Sequence, residues 1–175
     1  MKKILITTGG SGGHVIPSLS LYDSLKDDFE VHIVTDVRGS KYINSSYNFS
    51  LIDVPNILSN LFLIPYNLIK FFFSIYKSYR YLKINNFNIL ISTGGYMSIP
   101  LSLASYLMKI KIFVFEPNSI LGRANKLTLS FAKKIICYDK SLKKIPEKHL
   151  KKIYLIKPLL RKEIYEFKKN LKKTL

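Results

Sequence analysis

The chain has 175 residues, with 28 Lys+Arg against 11 Asp+Glu for a formal charge of +17, 47% hydrophobic residues, 22% charged residues and one cysteine. That length fits a single domain, and an apolar content this high beside so few charges excludes a disordered chain. The lone Cys137 excludes an internal disulfide framework and a thiolate metal cluster, so a reducing cytosol is the expected setting.

In chain order, short apolar β-rich runs fall at Lys3 to Thr7, Val31 to Thr35, Leu51 to Val54, Asn88 to Ser92, Lys111 to Phe115, Lys134 to Tyr138 and Ile153 to Ile156. The first is too short for the core of a signal peptide, and nothing in it directs export. Helical periodicity occupies Val15 to Lys26, Tyr66 to Leu82, Ile99 to Met108 and Leu121 to Ala132. Strands alternating with helices predict an α/β fold: a doubly wound, Rossmann-like parallel sheet whose ligands bind beyond the carboxyl ends of the strands.

The most lipid-like stretch, Ile57 to Tyr76, is interrupted by Asn60, Pro65, Asn67 and Lys70, so no transmembrane helix is expected. Within Tyr66 to Leu82, the residues Leu68, Phe72, Ile75, Tyr79 and Leu82 form one stripe expected to face the core, with Lys70, Ser74 and Lys77 opposite. Phe73 projects near Lys77 and Arg80, and Leu61, Phe62, Leu63 and Ile64 lack polar partners. This region is either a surface suited to a membrane interface or a layer packed beneath the sheet. From Lys133 onward there are 15 Lys+Arg against 4 Asp+Glu. That surplus could attract nucleic acid or anionic lipid; a solvated face is the expectation, with no nucleic-acid partner.

Chemistry concentrates in three loops after strands. TTGGSGGHVIP places four glycines before a helix expected to begin near Val15, so that backbone N–H groups and the positive helix end can cradle a diphosphate. It lacks the Lys-Ser/Thr of a Walker loop and the third glycine of the dinucleotide fingerprint, although Asp36 at the end of the second strand keeps a ribose contact open. His14 closes the loop, and an imidazole there suits proton transfer. His32 and His149 share no metal-ligand spacing with it. In STGGYMSIP, Gly94 and Gly95 permit close backbone approach, Tyr96 offers a flat ring, and Ser98 and Pro100 open the next helix. In FEPNSILGRANK, Glu116 and Asn118 leave an apolar strand as a carboxylate and an amide able to contact a sugar, ahead of Arg123 and Asn125.

Taken together, the blocks TTGGSGGHVIPSLSL, STGGYMSIPLSLASYLMKIKIFVFEPNSILGRANKLTLSFAKKI and IKPLLRKEI resemble the MurG family of N-acetylglucosaminyltransferases over almost the whole chain. The resemblance implies the N-terminal half of a GT-B glycosyltransferase. Residues 1–157 would be the acceptor-binding domain and 158–175 an interdomain linker or tail, with the C-terminal donor domain absent from this chain. It implies inverting transfer of N-acetylglucosamine from UDP-N-acetylglucosamine to the undecaprenyl-diphosphate-linked acceptor, lipid I, giving lipid II at the cytoplasmic face of the inner membrane. A separate donor-domain chain is a possible partner, and no cofactor is expected. The alternative is a non-catalytic, membrane-recruiting subunit of a two-chain glycosyltransferase.

By the same resemblance, Ser11, Gly12 and Gly13 hold the diphosphate, His14 or Glu116 is the base, Tyr96 lines the acceptor side, Asn118 contacts the donor sugar, and Arg161 belongs to the donor contacts at the hinge. The chain departs from the family pattern at Pro117, where glutamine is usual. It departs again at Lys157 to Arg161, which stands for Gly-Asn-Pro-Val-Arg one residue out of register. No Asp-x-Asp occurs, so a metal held by that motif is not available and helix N-termini would offset leaving-group charge.

Overall fold

A computed structural model describes residues 1–52, 54 and 64–159. Among the described residues seven strands form one sheet: β1 (Lys3–Thr7), β2 (Glu30–Thr35), β3 (Phe49–Leu51), β4 (Ile89–Ser92), β5 (Lys111–Glu116), β6 (Lys134–Cys137) and β7 (Ile153–Leu155). Their spatial order is β3-β2-β1-β4-β5-β6-β7, and every pairing is parallel. The winding reverses between β1 and β4, where Thr7 lies opposite Ser92, and that reversal opens the crevice at which α/β sheets bind ligands.

The helices are α1 (Gly12–Leu25), α2 (Val37–Ser40), α3 (Ile64–Asn85), α4 (Ser98–Leu107) and α5 (Arg123–Thr128), with a 3-10 helix at Glu147–Lys152. Alternation along the strands splits the core between two layers. On β1, Ile4 and Ile6 join Val15, Leu21 and Ile33 on one side, while Leu5 joins Leu82, Leu90, Leu101 and Leu129 on the other. Each such fully buried side chain contributes roughly 1.5–3 kcal/mol.

Three local readings are corrected. Helix α1 begins at Gly12, not near Val15: Ser11 takes the extended N-cap conformation, so Gly12 and Gly13 are helical. The third strand is Phe49–Leu51 instead of Leu51 to Val54, because register with Ile33, Val34 and Thr35 ends at Leu51.

The third concerns α3. Leu82 is buried and Ile75 half-buried, but Leu68, Tyr79 and above all Phe72, 67% exposed, face outward. The buried side of α3 carries Asn67, Ser74 and Ser78, and that of its neighbour α4 carries Ser98, Ser102 and Ser105. Small side chains let helix backbones approach closely, which the larger apolar residues would prevent. The displaced bulk forms an exposed face of Ile69, Phe72, Phe73 and Tyr76, with Lys70 over the Tyr66 ring at 4.3 Å and Lys77 over Phe73 at 4.9 Å. Leu61, Phe62, Leu63 and the Ile64 side chain lie outside the described residues.

Candidate functional site

The loops after β1 and β4 interlock at the switch point. Gly94 and Gly95 have φ of +103° and +85°, which L side chains rarely adopt, and an added Cβ on Gly95 would meet the Gly9 carbonyl oxygen at 2.5 Å. A Cβ on Gly94 would lie 2.9 Å from the His14 ring. Both positions therefore require glycine so that one loop can lie against the other.

Asp36 ties α2 to the same place. Its Oδ1 accepts from Gly10 N at 3.0 Å and Gly39 N at 2.8 Å, and its Oδ2 accepts from Arg38 at 3.1 Å. Burial pushes the carboxyl up, but the Gly10 and Gly39 N–H donors together with Arg38 outweigh it and hold the pKa below the ordinary carboxylate range. Both oxygens are engaged, so the ribose contact suggested by its position gives way to a loop clamp.

His14 sits in the first turn of α1, half-buried, with Nδ1 3.0 Å from the Thr93 carbonyl oxygen. A carbonyl can only accept, so Nδ1 carries the hydrogen and the neutral ring keeps Nε2 as an acceptor. Thr93 Oγ1 in turn donates to the His14 carbonyl at 3.2 Å. Thr93 thus holds His14 by both its ring and its backbone.

Glu116 is fully buried at the carboxyl end of β5. It accepts from Asn118 Nδ2 at 2.9 Å, Gly122 N at 2.9 Å and Asn125 Nδ2 at 3.1 Å, while Ser92 Oγ pins Asn125 Oδ1 at 2.9 Å. These bonds satisfy both carboxylate oxygens and close the loop into α5. Gly122 separates the two base candidates: a Cβ there would lie 3.3 Å from Glu116 Oε2 and 3.8 Å from His14 Cε1.

Two lobes of one cleft meet at His14, Arg38 and Gly95. The smaller, about 550 Å³, adds Gly9, Gly10, Ser11, Lys41 and Tyr42. The larger, about 710 Å³, adds Tyr96, Gly122, Arg123 and Leu127. Among the described residues no carboxylate lines either lobe, whereas Arg38, Lys41 and Arg123 do, so the electrostatics suit an anion. Gly12 lies against the Tyr42 ring. Gly13 is exposed, and a Cβ there would meet only Ser11 Oγ at 3.6 Å. Nothing in the chain itself therefore demands glycine at that helical position, where it costs roughly 1 kcal/mol relative to alanine.

Ser11, Gly12, Gly13, His14 and Tyr96 thus gather at the switch point, Glu116 and Asn118 stand one strand over, and Arg161 lies outside the described residues. Arg38, Lys41 and Thr93 were not singled out from the sequence. Arg38 and Lys41 follow an unremarkable acidic N-cap, and Thr93 acts through its backbone carbonyl, which no side-chain pattern announces. Among the described residues no group of three or more His, Cys, Asp or Glu side chains comes together to hold a metal ion.

Residues 4–137 match the model of the glycosyltransferase family 28 N-terminal domain. The chain belongs to that family. It is 47% identical over 99% of its length to the UDP-N-acetylglucosamine--N-acetylmuramyl-(pentapeptide) pyrophosphoryl-undecaprenol N-acetylglucosamine transferase of Pelagibacter ubique, covering 49% of that protein. It is 37% identical over 95% of its length to the transferase of the same name from Rickettsia typhi, covering 43% of it. The chain thus spans about half the length of these curated relatives. In fold it is similar to the crystal structure of MurG from Acinetobacter baumannii, with a TM-score of 0.74 at 20% identity over 95% of this chain and 48% of that one. A more distant likeness, TM-score 0.64 at 13% identity, joins 92% of the chain to 53% of Arabidopsis thaliana UGT89C1 complexed with UDP-L-rhamnose. These neighbours establish the α/β architecture of a GT-B N-terminal domain.

Proposed function

We propose that residues 1–157 are the acceptor-binding half of an inverting N-acetylglucosaminyltransferase acting on an undecaprenyl-diphosphate-linked muramyl-pentapeptide, with 158–175 as an interdomain linker or tail. The names of the curated relatives supply the substrates. The observation that carries the reading is the placement of His14: its tautomer is fixed by the Thr93 carbonyl, and it lines a cationic, carboxylate-free cleft between two glycine loops.

In this mechanism the diphosphate of the acceptor lies against Ser11, Gly12 and Gly13 at the N-terminus of α1, where the helix-start N–H groups ahead of His14 have no intrahelical acceptors. Arg38 and Lys41 add positive charge at the rim. His14 Nε2 takes the proton of the acceptor hydroxyl as its oxygen attacks the anomeric carbon of the donor sugar. The bond from that carbon to the UDP oxygen breaks on the opposite face, so the configuration inverts, and UDP leaves with the electron pair. Between the two base candidates, His14 is favoured, since both Glu116 oxygens already accept from donors of its own loop. Glu116 then positions Asn118, whose Oδ1 can meet the donor sugar while its Nδ2 is held. Arg161 is assigned to the donor contacts by resemblance alone.

The UDP side requires a donor-binding domain supplied from beyond these residues. The acceptor is met at the cytoplasmic face of the inner membrane, where the exposed aromatic and lysine face of α3 would rest; no helix among the described residues is long and apolar enough to cross a membrane. The test is transfer with the chain combined with a donor domain from a related enzyme, comparing the wild type with His14→Ala. The variant should lose roughly 10²–10⁴-fold in rate while keeping its fold.

A further inference from the structure

A third cavity, of about 500 Å³, runs between α4 and α5 beside the cleft, lined by Phe71, Leu103, Leu127 and Phe131 among others. Its volume lies in the range of about 300–1,000 Å³ that accommodates small-molecule ligands. Its floor is chemically quiet: Thr128 Oγ1 donates within α5 to the Ala124 carbonyl at 3.1 Å and lies 3.4 Å from Ser102 Oγ, so the buried hydroxyls are already engaged. Nothing in such a groove calls for a polar ligand, and its aromatic and aliphatic walls favour hydrocarbon.

The groove is continuous with the cationic cleft, because Tyr96, Ile99 and Leu127 line both. The Phe71 ring in its wall lies 6.1 Å from Tyr96 and 6.5 Å from Phe72, the latter on the exposed face of α3. An apolar path therefore leads from that face to the place where the diphosphate would be held. An acceptor diphosphate carries a sugar on one side and an isoprenoid chain on the other. With the sugar directed to His14, the chain leaves along the apolar wall.

We propose that the α4–α5 groove is a binding site for the first isoprene units of the lipid chain attached to the acceptor diphosphate. The groove thereby selects the lipid half of the substrate instead of leaving it wholly to the membrane. This rests on the reading of the glycine loops as a diphosphate site.

The test compares binding of farnesyl diphosphate, below its micelle concentration, with binding of inorganic pyrophosphate to the full 175-residue chain. It is paired with photolabelling by a benzophenone-bearing prenyl diphosphate. Farnesyl diphosphate should bind at least about tenfold tighter than pyrophosphate, since the chain buries apolar surface. The label should fall within residues 99–131. Leu103→Glu should bring farnesyl diphosphate down to the affinity of pyrophosphate without changing the latter. Leu103→Trp, which fills the groove while keeping it apolar, should do the same if the charged variant does not fold. Equal affinities for the two ligands, a label confined to the outer face of α3, or undiminished farnesyl diphosphate binding by folded Leu103→Trp would overturn the groove while leaving the diphosphate site standing. Failure of both ligands to bind would overturn the glycine-loop reading and the groove together.

Discussion

At His14 the outcome turns on which ring nitrogen keeps a lone pair, and the Thr93 carbonyl at 3.0 Å decides it. His14→Ala therefore removes the proposed base without removing a core residue. Gly13→Ala is the sharper probe: helix propensity should raise stability by up to about 1 kcal/mol, while the new methyl occupies the approach to the α1 N-terminus and lowers transfer. A denaturant midpoint that rises as the rate falls is the expected pair of results, and an unchanged rate would remove the argument that an outside ligand demands Gly13. Gly95→Ala should act oppositely, losing roughly 1–3 kcal/mol through its positive φ and the Gly9 contact. Asp36 sets an acid limit. Its folded pKa is depressed, so its contribution is complete above the unfolded value of about 4 and is lost as pH falls through the lower folded value. Asp36→Ala should cost about 2 kcal/mol at neutral pH through the lost cap and the unpaired Gly10 N–H, and a stability profile as steep below pH 4 as that of the wild type would contradict the clamp.

Among the elements, the β5–α5 loop and α3 carry the testable claims. Glu116→Gln places an amide NH₂ where the carboxylate accepts from Gly122 N and Asn125 Nδ2, and should cost about 1–3 kcal/mol in unfolding free energy. If Glu116 braces the loop, the pH dependence of residual transfer will keep the shape of the wild type; a profile that loses its acid limb would make Glu116 the base. For α3, replacing Phe72 and Phe73 by Ser should weaken sedimentation with anionic vesicles while leaving stability within about 0.5 kcal/mol, because both rings are exposed. The strands were legible because parallel strands buried on both faces read as continuous apolar runs, and the three loops because glycines, His14 and Glu116 are conspicuous after such runs. The α3 stripe was misread because periodicity reports an apolar face and not what covers it. On the buried side of α3 stand Ser74 and Ser78, and Phe72 faces outward. Arg38, Lys41 and Thr93 were hidden for a related reason: their roles arise from chain segments brought together only by the sheet order.

For the whole molecule, strand order explains why residues as distant in sequence as Gly10, Asp36, Thr93 and Gly122 serve one cleft: β1 and β4 adjoin at the winding reversal, flanked by β2 and β5. The charge of +17 and the lysine-bearing α3 face complement an anionic membrane surface, while the arginines of the cleft complement a diphosphate. The same arrangement predicts that the domain binds acceptor but needs a partner domain for chemistry. The most direct measurement is transfer of labelled N-acetylglucosamine from its UDP donor to a lipid I analogue in detergent. It compares the chain alone, the chain with a donor domain from a related full-length enzyme, and that mixture carrying His14→Ala. The account predicts product only in the wild-type mixture. Product from the chain alone would contradict the need for a second domain. Undiminished product from the folded His14→Ala mixture would contradict the role of His14. Silence throughout, with the chain folded and the related enzyme active, would make this a membrane-recruiting subunit and not half of a transferase.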